Sequence, residues 1–367
     1  MAEGTLFLVA VPGLEAALAA EAGARGFGGV EAVAGGVTCD GGLAEAARAN
    51  VVLRCAVRVL ARVAEFRAMH LAQLDKRARK VAWAKWLVPG IPVRVEAVCH
   101  RSKIYVNKAA VQRVAGALEA AGVPVSNDAG ITVKVRINDD LCTISLDTSG
   151  EPLHRRGHKA FVGKAPLRET MAAGFLHEMG FDGSQAVIDP MCGTGTFVLE
   201  AAEIAAGLVP GRSRGFAFEA MAGEEISVLR REFYGQAETG APEGARFFGF
   251  DRNDGAIRGA RANAERAGLG DRVQFERAAI SDLTPPEGIA PGLVMVNPPY
   301  GGRIGERKLL FGLYGAMGAV LAERFAGWRV GIVTSDGGLA KATGLDLEPF
   351  GPVDHSGTKV HLWKGAP

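Results

Sequence analysis

A polar, basic and glycine-containing stretch at residues 151–164 separates two parts of the chain that differ in their apolar pattern. Before it, alternation of apolar and polar residues predicts strands over residues 5–10, 93–99, 131–137 and 141–146. After it, short continuous apolar runs, typical of strands buried on both faces, alternate with helical patterns. We place the boundary near Phe161 and expect two domains, residues 1–160 and 161–367.

The N-terminal part combines its strands with a predicted helix at residues 13–24 and with a second one inside residues 100–122, where a basic loop with Arg101 and Lys103 leads into a helix with Lys108 and Arg113. A polar turn at residues 138–140 joins two alternating stretches, so residues 131–146 should form a hairpin. Residues 71–86 are predicted to form a basic helix. In residues 51–66, arginines recur at four-residue spacing from Arg54 to Arg62, which fits either a helical face or a strand edge.

The C-terminal part predicts a doubly wound α/β sheet, because its strands alternate with helices. Its apolar runs fall at residues 186–189, 246–251, 273–278, 292–296 and 328–335, with a closing pair at 347–350 and 358–364. Helical patterns cover residues 166–179, 255–268 and 309–325. The sequence assigns no role to an insertion at residues 207–245.

The stretch DPMCGTGT at residues 189–196 follows the first of these apolar runs and precedes a helical pattern. It contains two glycines, Gly193 and Gly195, which let the backbone approach a ligand closely. The N–H groups at the start of the following helix favour a polar or anionic partner. A turn of this kind in an open parallel sheet lies at the carboxyl end of a strand, where ligands bind.

A second motif, NPPY at residues 297–300, follows the apolar run at 292–296. Each proline fixes its own φ and biases the residue before it towards extended geometry, so the segment is rigid. It displays one amide, carbonyl groups without ladder partners and one aromatic ring. These groups suit a planar base with an exocyclic amine, whose N–H groups the oxygens accept while the ring stacks on it.

A DPMCGTGT turn followed, 108 residues after Asp189, by NPPY resembles the class I S-adenosylmethionine-dependent amino-methyltransferases. Residues 35–37 (GGV) and 48–66 (RANVVLRCAVRVLARVAEF) resemble the N-terminal lobe of THUMP-containing RNA methyltransferases. Together they resemble the family that methylates guanine N2 in large-subunit ribosomal RNA, whose members are often labelled N6-adenine-specific DNA methylases. The resemblance implies a Rossmann-like domain that follows an α+β ferredoxin-like and THUMP domain.

The cofactor that this resemblance implies is S-adenosylmethionine. Asp189 would orient the turn or bind the methionine ammonium, and Asp251, which ends the next strand, would accept the ribose hydroxyls. Asp282 would accept the adenine amine, and Leu283 would flank its ring. The complete set of expected cofactor residues is Asp189, Pro190, Cys192, Gly193, Thr194, Gly195, Thr196, Asp251, Arg252, Asp282, Leu283 and Asn297.

For the reaction itself, Asn297 and the Pro298 carbonyl would hold the target amine while Tyr300 stacks on the base, with Pro299 completing the catalytic motif. The expected RNA contacts are basic residues, although a solvated surface would also account for any one of them. They are Lys76, Arg77, Lys80, Arg101, Lys103, Lys108, Arg113, Arg155, Arg156 and Arg303.

The composition of the chain excludes few classes of function. A formal net charge of +2 does not by itself indicate nucleic acid, so RNA binding depends on local clusters. The five cysteines show no C-x-x-C spacing, and we expect reduced thiols, no bound metal and a cytoplasmic protein. The sequence shows no signal peptide and no transmembrane segment. It does not indicate an oligomeric state.

Several functions remain open. Guanine-N2 methylation of 23S rRNA is favoured, with the same chemistry on tRNA as the next choice. NPPY alone does not exclude adenine-N6 methylation of DNA. A non-catalytic RNA-binding assembly factor and a dinucleotide oxidoreductase are further alternatives, but Val198 occupies the place of the third glycine that the latter needs.

Overall fold

A computed structural model describes residues 4–160, 167–221, 246–301 and 304–367, with backbone only for residues 304–306. The described residues form two compact units. The first contains residues 4–10, 19–153 and 214–221, and the second contains the remaining described residues. No helix in these ranges combines the length and the apolar character that crossing a bilayer requires.

A mixed seven-stranded sheet forms the centre of the first unit, in the order β2-β3-β1-β4-β7-β6-β5. Only β5 and β6 pair in parallel. The strands are β1 (Thr5–Val9), β2 (Glu31–Val33), β3 (Gly36–Asp40), β4 (Arg58–Arg67), β5 (Val93–His100), β6 (Ile131–Asn138) and β7 (Leu141–Asp147). The helices are α1 (Glu15–Ala24), which begins in the second unit, α2 (Leu43–Val52), α3 (Leu71–Ala78) and α4 (Asn107–Ala120).

The sheet register explains two features of this unit. The predicted hairpin is confirmed, since β6 and β7 pair up to Asn138 and Leu141 with Asp139 and Asp140 in left-handed conformation between them. The arginine-rich stretch that fitted either a helix or a strand is strand β4. Its partner is β7, whose buried Asp147 accepts a hydrogen bond from the Arg58 guanidinium at 2.6 Å.

The helix predicted over residues 71–86 is wrong in its second half. Helix α3 ends at Ala78, and a short 3-10 turn follows at Trp83–Lys85. The indole of Trp83 is buried and donates its N–H to the Ala78 carbonyl at 3.0 Å. That carbonyl is one that a longer α-helix would have used, so burial of the tryptophan ends the helix.

The second unit contains the predicted α/β sheet, in the order β10-β9-β8-β11-β12-β14-β13. Neighbours from β10 to β12 are parallel, and β14 is antiparallel to β12. The strands are β8 (Val187–Asp189), β9 (Phe247–Asp251), β10 (Val273–Arg277), β11 (Leu293–Val296), β12 (Arg329–Thr334), β13 (Asp346–His355) and β14 (Thr358–Ala366). The helices are α5 (Glu169–Glu178), α6 (Thr196–Ala205), α7 (Asp254–Ala267), α8 (Ile304–Arg324) and α9 (Gly337–Ala342).

The order of the parallel strands places β8 at the centre, with β9 on one side and β11 on the other. Right-handed crossovers from such a central strand run in both directions and place helices on both faces, as in a doubly wound sheet. The central strands β8, β9, β11 and β12 are mostly buried, and Ile188, Phe248, Val294 and Ile332 lie in one buried cluster. The short helix α9, which the sequence did not predict, begins where Asp336 accepts a hydrogen bond from Gly338 N at 2.8 Å.

Residues 11–18 belong to the second unit although they lie near the start of the chain. Asp354 N, on β13, donates to the Pro12 carbonyl at 3.0 Å. Leu14 is buried against α5, where a Cβ on Gly174 would lie 2.7 Å from Leu14 Cδ1. The sequence pattern did not assign this segment to the C-terminal part.

Candidate active site

Three polar side chains meet at one edge of the second sheet because the strands that carry them are neighbours. Asp189 ends β8, Asp251 ends β9, and Asn297 follows β11 directly. These strands are parallel and adjacent in the order β9-β8-β11, so their carboxyl ends lie side by side. The structure thus brings together the two motifs that the sequence analysis selected.

The turn after β8 is held by backbone hydrogen bonds and by two glycines in left-handed conformation. Cys192 N donates to the Phe250 carbonyl at 2.8 Å, and Gly195 N donates to the Cys192 carbonyl at 2.7 Å. Gly193 and Gly195 have φ of 53° and 83°. A Cβ on Gly195 would lie 2.8 Å from the Phe275 ring, whereas a Cβ on Gly193 would meet no atom of the described residues within 4 Å. Gly195 therefore serves packing, and Gly193 faces open space.

Asp189 is a buried carboxyl that accepts a hydrogen bond from Met191 N at 3.0 Å. The pKa of Asp189 is raised to about 8, mainly by burial; the Met191 hydrogen bond opposes the shift and the negative charge of Asp251 adds to it. A carboxyl in this state gains from a cation placed beside it, because the cation would offset the cost of charging it in a buried site. That property fits the ammonium group of S-adenosylmethionine.

Asp251 accepts hydrogen bonds from Gly193 N at 3.0 Å and from Asn253 N at 2.8 Å. It therefore pins the cofactor turn, a role that the sequence analysis missed. A carboxylate has about four acceptor positions, so these two bonds leave it able to accept others, as the expected contact with ribose hydroxyls requires. The neighbouring Arg252 is exposed.

The remaining residues expected to bind the cofactor differ in their solvent exposure. Asp282 ends a short 3-10 turn after β10, is exposed, and accepts from Ser281 Oγ at 3.0 Å. Leu283 is buried in the sheet core. Pro190, Cys192, Thr194 and Thr196 are buried as well. Burial raises the pKa of the Cys192 thiol well above its usual value, which excludes a reactive thiolate there.

In NPPY, the Asn297 side-chain oxygen is a buried acceptor with no hydrogen-bond partner in the part of the chain that the structure describes. The Tyr314 hydroxyl donates to the Pro299 carbonyl at 3.4 Å, and the Tyr300 hydroxyl lies 3.0 Å from His355 Nδ1. The motif is thus fixed on both sides while one acceptor remains unsatisfied. Such an acceptor is costly unless a ligand meets it.

The expected RNA residues of the first unit form an exposed basic surface on α3, α4 and the loop before α4. All seven of them, Lys76, Arg77, Lys80, Arg101, Lys103, Lys108 and Arg113, are exposed. Tyr105 stands in the same loop with 80% of its surface exposed. The sequence analysis missed it, although the order basic–aromatic–basic in SKIYVNK could have indicated it.

The loop that carries Tyr105 is held in place by hydrogen bonds. Lys103 N donates to Asp140 Oδ1 at 2.7 Å, and Asp140 N donates to Ser102 Oγ at 3.0 Å. At the loop's other end, Cys99 N donates to Asn107 Oδ1 at 2.9 Å. An exposed ring on a fixed loop between cations can stack on an unpaired base.

The basic stretch between the two parts is mainly structural. The Arg156 guanidinium is buried and donates to Glu200 at 3.0 Å, which removes it from the candidate RNA surface. His158 lies 3.4 Å from Glu203, and burial lowers its pKa. Arg155 is exposed. Arg303 and the boundary at Phe161 lie outside the described residues.

These residues fit S-adenosylmethionine on chemical grounds. Asp189 offers a carboxyl whose ionisation a cation would favour, Asp251 offers acceptors for a diol, and Gly193 leaves room beside both. The fit rests on contacts within the second unit alone.

Replacing each glycine of the turn by alanine should separate folding from binding. Both have positive φ, so each substitution costs about 1–2 kcal/mol of backbone strain. Gly195→Ala also meets Phe275 and should lower Tm by several degrees more than Gly193→Ala. Gly193→Ala should instead weaken S-adenosylmethionine binding about tenfold. Thermal unfolding and calorimetric titration of both variants measure this, and equal effects on both quantities would contradict it.

Asp189→Asn should change the pH dependence of stability. The folded pKa of Asp189, about 8, lies above an unfolded value of about 3.9, so its contribution falls as pH rises between them. Asparagine does not ionise, so relative to wild type the variant should become more stable as pH rises towards 8, while its affinity for S-adenosylmethionine falls. Denaturant unfolding at several pH values tests the first part. Parallel stability curves for the two proteins would show that Asp189 does not titrate in this window.

Comparison with known families agrees with this geometry. The family described as the RMKL-like methyltransferase domain matches residues 156–348, and the RlmL ferredoxin-like domain matches residues 5–60. A ribosomal RNA large subunit methyltransferase K/L from Syntrophotalea carbinolica is 37% identical over 358 residues, 92% of this chain and 50% of that protein. The chain thus spans about half the length of that relative. A Synechocystis protein named as an RNA methyltransferase, slr0064, is 30% identical and covers 98% of this chain and 95% of its own length.

Two solved structures are similar over almost the whole chain. A Listeria monocytogenes protein described as a predicted N6-adenine-specific DNA methylase has a TM-score of 0.88 at 28% identity, covering 99% of this chain and 96% of that one. SMU.472, crystallised with SAH, has a TM-score of 0.85 at 27% identity, covering 99% and 98%. SAH is what S-adenosylmethionine becomes after methyl transfer, which confirms the predicted cofactor. The chain belongs to the RMKL-like methyltransferase family and carries an RlmL-type ferredoxin-like domain before its methyltransferase domain.

Proposed function

We propose that this protein transfers a methyl group from S-adenosylmethionine to the exocyclic N2 amine of a guanine in RNA, with 23S rRNA as the favoured substrate. The observation that carries the proposal is the buried, unsatisfied Asn297 side-chain oxygen beside the carboxyl end of β8. An acceptor that meets no donor among the described residues suits a substrate that brings an N–H group. The exocyclic amine of a base is such a group.

The second acceptor would be the Pro298 carbonyl. In the described ranges it accepts no hydrogen bond, whereas the next carbonyl, that of Pro299, accepts one from Tyr314. Proline rings fix the direction of these carbonyls. Asn297 and Pro298 would therefore hold the two N–H groups of one amine, with the Tyr300 ring against the base.

The chemistry requires positioning more than a strong base. The lone pair of a guanine N2 amine is delocalised into the ring, so the amine is a weak nucleophile. Two acceptors that bind its N–H groups favour a pyramidal nitrogen whose lone pair points away from the ring. S-adenosylmethionine, when bound, supplies a methyl group on a sulfonium. Since the amine becomes acidic only as the new bond forms, its proton can leave late, and most of the rate would come from alignment and charge stabilisation.

Two observations favour RNA as the substrate: the basic surface of the first unit and the names of the relatives. The exposed basic surface on α3, α4 and the loop with Tyr105 provides cations for phosphates and a ring for an unpaired base. Relatives named as ribosomal RNA large subunit methyltransferases support large-subunit rRNA. The same chemistry on tRNA, adenine-N6 methylation of DNA and a non-catalytic assembly role remain the alternatives.

We also propose a division of labour close to the expected boundary at residues 160 and 161. The N-terminal domain, with its ferredoxin-like and THUMP parts, would bind RNA, and the C-terminal domain would carry out methyl transfer. The separation of the two compact units after Leu153 supports this, with residues 11–18 added to the catalytic unit. We further expect the protein to act in the cytoplasm.

Asn297→Ala should abolish methylation without loss of the fold. Removing an oxygen that holds the reacting amine should lower kcat about 100-fold or more, as for other transition-state hydrogen bonds. S-adenosylmethionine affinity should change far less, because Asp189 and Asp251 remain. The measurement is mass spectrometry of nucleosides from a strain without the gene, complemented with the wild-type gene or the variant.

Three results of that measurement separate the alternatives. Loss of N2-methylguanosine from large-subunit rRNA supports the proposal, and its loss from tRNA selects the tRNA enzyme. Unchanged RNA with less N6-methyladenine in DNA would refute both. If Asn297→Ala complements every phenotype of the deletion, the assembly role is favoured.

Charge reversal on the basic surface should weaken RNA binding without affecting the cofactor. Replacing Lys76, Lys80, Lys103 and Arg113 by Glu should raise KM for RNA and make it less dependent on salt. In a plot of log affinity against log salt concentration, the slope should become shallower by about 0.7 for each lost phosphate contact. The affinity for S-adenosylmethionine should be unchanged. A control variant carries the same number of reversals at other exposed sites, namely Arg25, Arg258, Arg272 and Lys341. Weaker cofactor binding in the first variant alone would contradict the division of labour.

A further inference from the structure

A cavity of about 860 Å³ opens beside Tyr300, and every residue that lines it belongs to the second unit. This volume lies within the range that small-molecule sites occupy, about 300–1,000 Å³. It reaches the cofactor turn through Lys159, whose Nζ donates to Thr196 Oγ1 at 2.8 Å and pairs with Glu169 at 2.9 Å. Thr196 is the first residue of α6.

One wall of the cavity is cationic. It is lined by Arg155, Lys159 and Arg168, with Glu169 as the acidic residue among its lining side chains. Lys159 is paired with Glu169, whereas Arg168 makes no ion pair with any residue that the structure describes and donates to the Ser356 hydroxyl at 3.0 Å. An anion that enters the cavity would therefore find Arg168 held in place by a neutral partner.

His154, in the same wall, is half-buried and is surrounded by basic side chains. Burial lowers its pKa to about 4, and Arg168, Arg155, Arg156 and Lys159 lower it in the same direction. Its Nδ1 is buried and has no partner within the described ranges. The imidazole is therefore neutral at physiological pH, and the surrounding charge is positive.

A second part of the lining, the aromatic wall, is formed by Tyr300 and His355, and a distant part of the chain fixes the position of the Tyr300 ring. Tyr300 of NPPY lies with its hydroxyl 3.0 Å from His355 Nδ1. His355 ends β13, at the tip of the β13–β14 hairpin, and its neighbour Ser356 is the residue bound to Arg168. The hairpin tip thus contacts both the aromatic and the cationic wall.

We propose that this cavity holds the target nucleotide, with a backbone phosphate against Arg168 and Arg155 and the base against Tyr300, whose ring His355 positions. A phosphate and a planar ring on the same ligand match the two walls. This inference rests on the proposed RNA substrate, and it assigns to the β13–β14 hairpin the task of aligning the base. His355 is a positioning residue, since it acts through the Tyr300 hydroxyl.

The phosphate side is tested with Arg168→Gln, Arg168→Lys and a matched control, Arg272→Gln. Arg272 is exposed and directly precedes β10, at the sheet edge opposite the site. Arg168→Gln should raise KM for protein-free large-subunit rRNA about tenfold, with kcat and the Kd for S-adenosylmethionine nearly unchanged. Arg168→Lys should recover most of the loss, and the control should behave as wild type.

The aromatic side is tested with Tyr300→Phe, His355→Phe and the double variant. Each single change removes the same hydrogen bond and should lower kcat about fivefold with KM unchanged, and the double variant should be no slower than either. His355→Gln, which can still accept from the Tyr300 hydroxyl, should retain most activity. Additive effects of the two single changes would show that His355 does not act through Tyr300.

A binding measurement keeps the inference separate from the proposed function. If the wild-type protein methylates no RNA, the proposed function fails, and the cavity is then tested by calorimetric titration with guanosine 5′-monophosphate and guanosine. Wild type should bind the nucleotide at least about fivefold more tightly than the nucleoside, and Arg168→Gln should lose most of this preference, since only Arg155 would remain beside the phosphate. Equal binding of both to wild type would overturn the inference. So would a loss of S-adenosylmethionine affinity in Arg168→Gln, because the cavity would then hold the cofactor.

Discussion

The parallel pairing of β8 with β9 and β11 is the constraint on which the rest of the site depends. These strands are mostly buried in the apolar core, and each ends in, or is followed directly by, a polar residue. Parallel strands all have their carboxyl ends at one edge of the sheet. Formation of the apolar core therefore places Asp189, Asp251 and Asn297 near one another without requiring any direct contact between them. The hydrophobic effect that closes the sheet therefore also concentrates polar groups at a place where two of them remain poorly solvated.

The sequence was sufficient for those features that depend on local pattern. Strand and helix alternation predicted the second sheet and its closing antiparallel pair, and the positions of glycine and proline predicted both motifs. It was insufficient where the burial of a side chain or the pairing of a distant strand decides the outcome. Trp83 ended a helix by taking the Ala78 carbonyl, and pairing with β7 decided that the arginine-rich stretch forms a strand. Spacing along the chain does not reveal that Trp83 is buried or that β7 is the strand that pairs with β4.

The basic residues show that the sequence alone was also insufficient to identify an RNA-binding surface. Arg155 and Arg156 are adjacent and chemically identical, yet one is exposed and the other is buried against Glu200. A buried ion pair carries a large desolvation cost, so its partner must be well placed. Here α6 supplies both Glu200 and Glu203, and the latter is shared by His158 and Arg212. Charge in a sequence therefore indicates a nucleic-acid surface only after the carboxylates that face it are known.

The assignment of residues 11–18 to the second unit affects how the protein can be divided and how it can evolve. A fragment that begins at His154 would lack Leu14 against α5 and the Pro12 carbonyl that accepts from Asp354 N. It would expose the apolar surface of α5 that Leu14 covers and leave the backbone N–H of Asp354 on β13 without this acceptor. During synthesis, the β13–β14 hairpin must also emerge from the ribosome before residues 11–18 can pack against it. Exchange of the catalytic domain between relatives by recombination at the linker would therefore separate parts that fold together.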